Sequence, residues 1–152
     1  MTPTEFIAAI GPAAQQSMAS TGIPASFTVA EGALESGWGS SQLCTLAKNL
    51  FGVKADPSWH GDFITLNTRE FLNGDWVVVP ANWRMYEDWL ACITDHADFL
   101  KHPRYAAAFQ HTTGGEAFAL AGAGAGYATD PAYASKIIQI IRSHALTEYD
   151  KA

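Results

Sequence analysis

Two glutamates stand four residues apart in the stretch Thr28-Val29-Ala30-Glu31-Gly32-Ala33-Leu34-Glu35-Ser36-Gly37-Trp38-Gly39. If that stretch is helical, the pair occupies adjoining positions of one face. Carboxyls so placed suit acid–base chemistry on an acetal. A glycosidic bond breaks when a protonated carboxyl hands its proton to the leaving oxygen, generally with a second carboxylate to activate water or stabilise the cationic transition state. Spacing does not rank Glu31 against Glu35, but position does. Glu35 falls at the C-terminal end of the run, where the negative end of the helix macrodipole disfavours ionisation, and Leu34 and Trp38 supply apolar neighbours. Both effects raise a carboxyl pKa, which is what a proton donor needs.

Several elements must position these groups. Phe6, Ile7, Ile10, Ala14 and Met18 recur at spacings of three and four, predicting a first helix over residues 4–20 opened by Thr4 ahead of Glu5. Pro24 suits the first turn of a second helix, in which Phe27, Ala30, Leu34 and Trp38 repeat until Gly37 and Gly39 end it. A third helix is expected over 40–48, followed by a turn at Asn49-Leu50-Phe51-Gly52. Between Trp59 and Pro80 the texture changes. Phe63, Thr65 and Asn67 alternate, Asn73-Gly74-Asp75 is a turn signal, and Trp76 to Val79 is strongly β-prone, which predicts a small hairpin lobe at about 59–80. Helical patterning returns over 88–101, 105–110, 115–123 and 131–144, the last with Ile137, Ile140 and Ile141 facing a core. The expectation is an α+β, predominantly helical fold, with a cleft between two lobes where an extended polymer can lie.

A chain of 152 residues fits one domain, so residues 1–152 are read as a single catalytic unit. A net charge of -6 leaves no basic surface for nucleic-acid phosphates, and no apolar run is long enough to insert in a membrane. Cys44 and Cys92 lack the spacing of a zinc or redox motif and are expected as semi-buried free thiols, with a single disulfide as the other reading. The five histidines show no ligand pairing and are read as surface or capping residues, so neither metal nor cofactor is expected. The N-terminus carries no signal-peptide pattern, so action outside the cytoplasm implies delivery by lysis, by a phage or within a parent protein.

Ordered blocks along nearly the whole chain resemble glycoside hydrolase family 73, the bacterial N-acetylglucosaminidases that include flagellar rod-cap and autolysin domains. The blocks are Ile23-Pro24-Ala25-Ser26, Ala33 to Gly39, Asn49 to Lys54, Thr68-Arg69-Glu70-Phe71, Trp83-Arg84-Met85-Tyr86, Pro103-Arg104-Tyr105 and Gly126 to Ala134. The resemblance implies a lysozyme-like two-lobe fold cleaving the β-1,4 bond on the reducing side of N-acetylglucosamine in peptidoglycan. It makes Glu35 the general acid and Glu70 the second acidic residue, supplied by the inserted lobe, with Asp62 and Asp75 open if the register slips. Tyr127 matches the family's tyrosine beside the catalytic glutamate, and Tyr133 follows in the same block, suited to contacting substrate. Two departures stand out. Trp83 replaces a more usual phenylalanine, and Glu31 takes a glutamine position, adding a like charge that raises the pKa of Glu35 further.

Sugar faces stack on rings, and Trp38, Phe51, Trp59, Trp76, Trp83 and Tyr86 are candidate platforms. Phe51 and Tyr86 are favoured because they sit in loop-like blocks, whereas Trp38 lies on the apolar face of a helix. Asn49 either lines the cleft through its amide or builds the turn. The separation of Glu35 and Glu70 carries the stereochemistry: above about 6.5 Å suits inversion through water and about 5 Å a covalent intermediate, with the substrate's acetamido oxygen a third nucleophile. The expected partner is the peptidoglycan glycan strand, met by a monomer. A muramidase or lytic transglycosylase on the same fold is the alternative activity, and an inactive wall-binding module the alternative class.

Overall fold

The helix that carries both glutamates is the hub of the molecule. The computed structural model describes residues 1–101, 103, 109, 114–124 and 131–151. In it, α1 (Pro3–Thr21) leads into α2 (Ala25–Ser36), followed by α3 (Gln42–Ala47), the hairpin of β1 (Phe63–Leu72) and β2 (Asp75–Arg84), then α4 (Trp89–Leu100), α5 (Gly115–Gly124), α6 (Tyr133–Ser143) and a closing 3-10 turn, Leu146–Asp150. Residues 25–33 and Ser36 of α2 are all buried, Leu34 is half-buried and Glu35 is exposed. A helix closed on every side needs neighbours all round; α1, α5, α6 and the 3-10 turn pack against it.

Local chemistry sets the ends of these helices. The capping box of α1 is Thr2 with Glu5, two residues earlier than the expected start at Thr4, because Thr2-Pro3-Thr4-Glu5 places Pro3 at the first helical position, where its missing N–H is not needed. The helix continues through Pro12, since both Pro12 and Ala8, whose carbonyl loses its partner, are exposed to water. α2 starts after Pro24, which offers no capping side chain. Asp150 supplies the cap from the other end of the chain, accepting from the Ser26 N–H at 2.8 Å and the Ser26 hydroxyl at 2.6 Å. Gly37, in the left-handed region at φ 58°, ends α2 as the glycine pattern predicts. α6 begins at Tyr133 rather than 131. The helix expected over 105–110 lies outside the described residues apart from Phe109.

The hairpin spans 63–84, not 59–80. Its turn is the expected one, with Asn73 and Gly74 both at positive φ. Pro80 does not end β2, because it pairs with Asn67 while its nitrogen faces the other edge. Two residues on, the Asn82 carbonyl and Arg84 N–H also point away from β1, toward Ala55 and Val53. No bond to β1 is therefore lost at Pro80. The core beneath the helices joins Phe6, Ile10, Phe27, Leu50, Phe118, Ile137 and Ile141. Both cysteines are free and fully buried rather than semi-buried, and burial pushes the Cys92 thiol up to about 12.

Candidate active site

A groove of about 660 Å³ opens where the last turn of α2 meets the base of the hairpin. Its walls include Glu35, Phe51 and Lys54 from the segment after α3, Arg84 at the end of β2, Asp95, His96 and Phe99 on α4, and Tyr133 on α6. Glu35 is the point at which the buried helix reaches solvent. Loss of hydration raises its carboxyl above the usual range, the Glu31 carboxylate adds to that rise, and His96 opposes it. The side chain is solvent-accessible along the groove yet walled by protein on its other side.

Glu31 lies one turn earlier and is 1% exposed. His96 Nε2 meets one carboxylate oxygen at 2.6 Å, and the Tyr133 hydroxyl donates to the other. The ring of Phe51 lies flat on His96, with centroids 3.9 Å apart, and Phe99 continues the parallel arrangement at 6.2 Å. His96 is thus neither a surface nor a capping residue. It falls on the apolar stripe of α4 with Cys92, Ile93, Ala97 and Leu100, and a polar group on such a stripe must find a buried partner. That stripe was the signal for it in the sequence.

Arg84 ties the hairpin base to α4. Its guanidinium donates to Asp95 at 2.8 Å, to the Lys54 carbonyl at 3.0 Å and to Asp56 at 3.3 Å, and it lies over the Trp59 ring at 4.9 Å. The hydrogen bonds of Ser58, and then Arg84, hold the Asp56 carboxyl below its ordinary value. The groove carboxylates Asp56, Asp95 and Asp98 were not singled out from the sequence, because only tertiary contacts bring them here.

The structure brings Glu35, Phe51 and Tyr133 to one groove. Tyr133 is nearly buried, with its hydroxyl turned to Glu31. Tyr86 sits behind the wall, donating to Asp95 at 2.6 Å, and burial raises its hydroxyl far above the ordinary value. Asn49 is 1% exposed, and its amide is spent on the turn: it donates to the Val53 and Arg84 carbonyls and accepts from the Val53 N–H. Glu70 lies on the half-buried face of β1, not in the groove wall; it pairs at 2.8 Å with Lys54, which is in that wall. Asp62 and Asp75 line no part of the groove either. Trp38, swung into the left-handed region, packs edge-on to Phe6 at 5.6 Å and against His144 at 4.8 Å, on the core side. Trp83 is nearly buried, and Trp76 is exposed at the hairpin tip beneath Arg69. Tyr127 lies outside the described residues. Among the described residues no cluster of three or more His, Cys, Asp or Glu is arranged to hold a metal ion.

Residues 11–146 match the family described as mannosyl-glycoprotein endo-beta-N-acetylglucosaminidase. The chain is 36% identical over 143 residues to the peptidoglycan hydrolase FlgJ of Vibrio parahaemolyticus, covering 91% of this chain and 46% of that protein. It is 35% identical over 157 residues to an autolysin of Enterococcus faecalis, covering 98% of this chain and 21% of that protein. The chain thus spans less than half the length of these relatives. Its fold superposes on the catalytic domain of the autolysin Auto from Listeria monocytogenes with a TM-score of 0.88 at 30% identity, covering 97% of this chain and 87% of that one. The lysozyme-like arrangement and the match along most of its length make this chain a member of the glucosaminidase family of glycoside hydrolases, family 73.

Proposed function

We propose that the chain hydrolyses the β-1,4 bond on the reducing side of N-acetylglucosamine in peptidoglycan, with Glu35 as general acid. The observation that carries this reading is a carboxyl at the one exposed turn of a buried helix, opening into a groove and raised above its usual range by burial and by Glu31. Glu35 gives its proton to the bridging oxygen as the bond to the anomeric carbon breaks. Water adds to that carbon and loses its proton to a carboxylate, and Glu35 regains a proton from solvent. This chemistry needs no cofactor. Phe51, held flat by His96, offers a ring for a sugar face. The resemblance assigns Tyr127 to the neighbourhood of Glu35.

Glu70 is the proposed second carboxylate. It reaches the groove by release from Lys54 and inward movement of the hairpin, the kind of closure that completes many active sites on binding. Glu70→Gln is expected to lower the release of reducing ends by about 10²-fold or more while sparing the fold. Unchanged turnover would remove Glu70 from the mechanism and direct attention to Asp56 and Asp98, which already line the groove.

The whole chain acts as one catalytic unit and as a monomer on glycan strands of the bacterial wall. Digestion of purified peptidoglycan, borohydride reduction and mass spectrometry test the bond. Reduced glucosaminitol ends are expected; muramitol ends identify a muramidase, anhydro-muramyl ends a lytic transglycosylase, and wall binding with no new ends a binding module.

A further inference from the structure

We propose that Glu31 is a positioning residue that acts on Glu35 through the helix turn they share, and that His96 and Tyr133 are the side chains that hold it there. This rests on the reading of Glu35 as the general acid. A carboxylate buried to 1% exposure needs partners for its oxygens, and here α4 supplies the His96 ring and α6 the Tyr133 hydroxyl. The same two side chains line the groove, so the cluster forms part of the wall below Glu35. Phe51, stacked on His96, closes it from the segment after α3.

A charge fixed at that depth works through little water, so it reaches Glu35 with less screening than a surface charge would. Its sign is the same as that of ionised Glu35, and it therefore favours the form of Glu35 that still has a proton to give. His96 works in the opposite direction.

Among the described residues, other charged groups on the packed elements are engaged elsewhere or lie at the surface. On α4, Asp95 is held by Arg84 and Tyr86, and Asp98 lies near Lys101. On α6, Lys136 is exposed and Arg142 pairs with Glu116 of α5. From the 3-10 turn, Asp150 serves Ser26 at the far end of α2. The uncharged Tyr133 from α6 and Ser17 of α1 complete the surroundings.

The test is the pH dependence of kcat on purified peptidoglycan for Glu31→Gln, with thermal unfolding as a check on folding. A general acid fails as pH rises through its pKa, so removing the like charge moves the alkaline limb to lower pH, by about one unit, with KM changed about twofold or less. Above the limb this reads as a loss of about tenfold. Glu31→Ser, which also removes the charge and leaves a hydroxyl for the buried partners, moves the same limb downward and serves as the second variant if Glu31→Gln does not fold. An unmoved limb in whichever of the two variants folds overturns the proposal. Glu35→Gln run alongside separates the two failures: activity persisting there defeats the assignment of the acid itself, whereas an inactive Glu35→Gln with an unmoved Glu31→Gln limb defeats only the role of Glu31.

Discussion

Glu35→Gln is expected to cut the release of new reducing ends from purified peptidoglycan by about 10²–10⁴-fold, the range that general acid catalysis contributes. The amide has the size of the carboxyl and no proton to give, so binding and fold should survive. Glu35 is the exposed residue of α2, and its replacement opens no cavity. Removing a carboxyl that Glu31 repels should leave the unfolding midpoint unchanged or slightly raised. The native enzyme's own profile carries the complementary signature. Because burial and Glu31 hold the Glu35 carboxyl above the ordinary glutamate value, activity that depends on its proton should persist to higher pH than an unperturbed glutamate allows, then fall as pH rises through that raised value. Wall digestion by Glu35→Gln within a few-fold of the native rate would defeat the assignment.

Phe6→Ala is expected to remove about 3–5 kcal/mol of stability, a large fraction of what a domain of this size possesses. Phe6 is 0% exposed and sits where α1 crosses the end of α2. A Cβ built on Gly32 would lie 3.5 Å from its ring, one on Gly39 would lie 3.3 Å from it, and Trp38 meets it edge-on. Truncation leaves a void beneath the turn that presents Glu35, and neighbours locked into helices collapse into it only partly. Urea unfolding should show the midpoint falling with little change in slope. A loss below about 1 kcal/mol would mean that this junction relaxes freely and is not the rigid seat described.

The elements whose pattern is local were legible in the sequence. Asn73-Gly74 between alternating strands gave the hairpin its turn, Gly37 gave α2 its end, and the apolar repeats placed α1, α4 and α6 within two residues of their bounds at either end. The hairpin's far boundary was missed because the rule that proline ends a strand depends on which edge the nitrogen faces, and that depends on a third segment, 53–55, pairing beyond it. The place of Glu35 at the groove was legible because its motif is short and contiguous. The cluster below it was not, since Glu31 meets His96 across 65 positions and Tyr133 across 102. Nothing in either local pattern names the other. Asn49 and Tyr86 show the converse: loop-like surroundings suggested groove residues, but the polar atoms of both are absorbed by neighbours that only the fold supplies.

The cap on α2 comes from Asp150, with the neighbouring Tyr149 carbonyl also tied to Gln15 and its ring against Gly11. The helix that carries Glu35 is therefore finished by a side chain more than a hundred positions further along the chain. A chain cut before residue 149 would fold with the Ser26 N–H and hydroxyl deprived of that acceptor, and a lost cap costs about 0.5–2 kcal/mol. Distant segments thus share one stability, and trimming the tail would be felt at the start of α2.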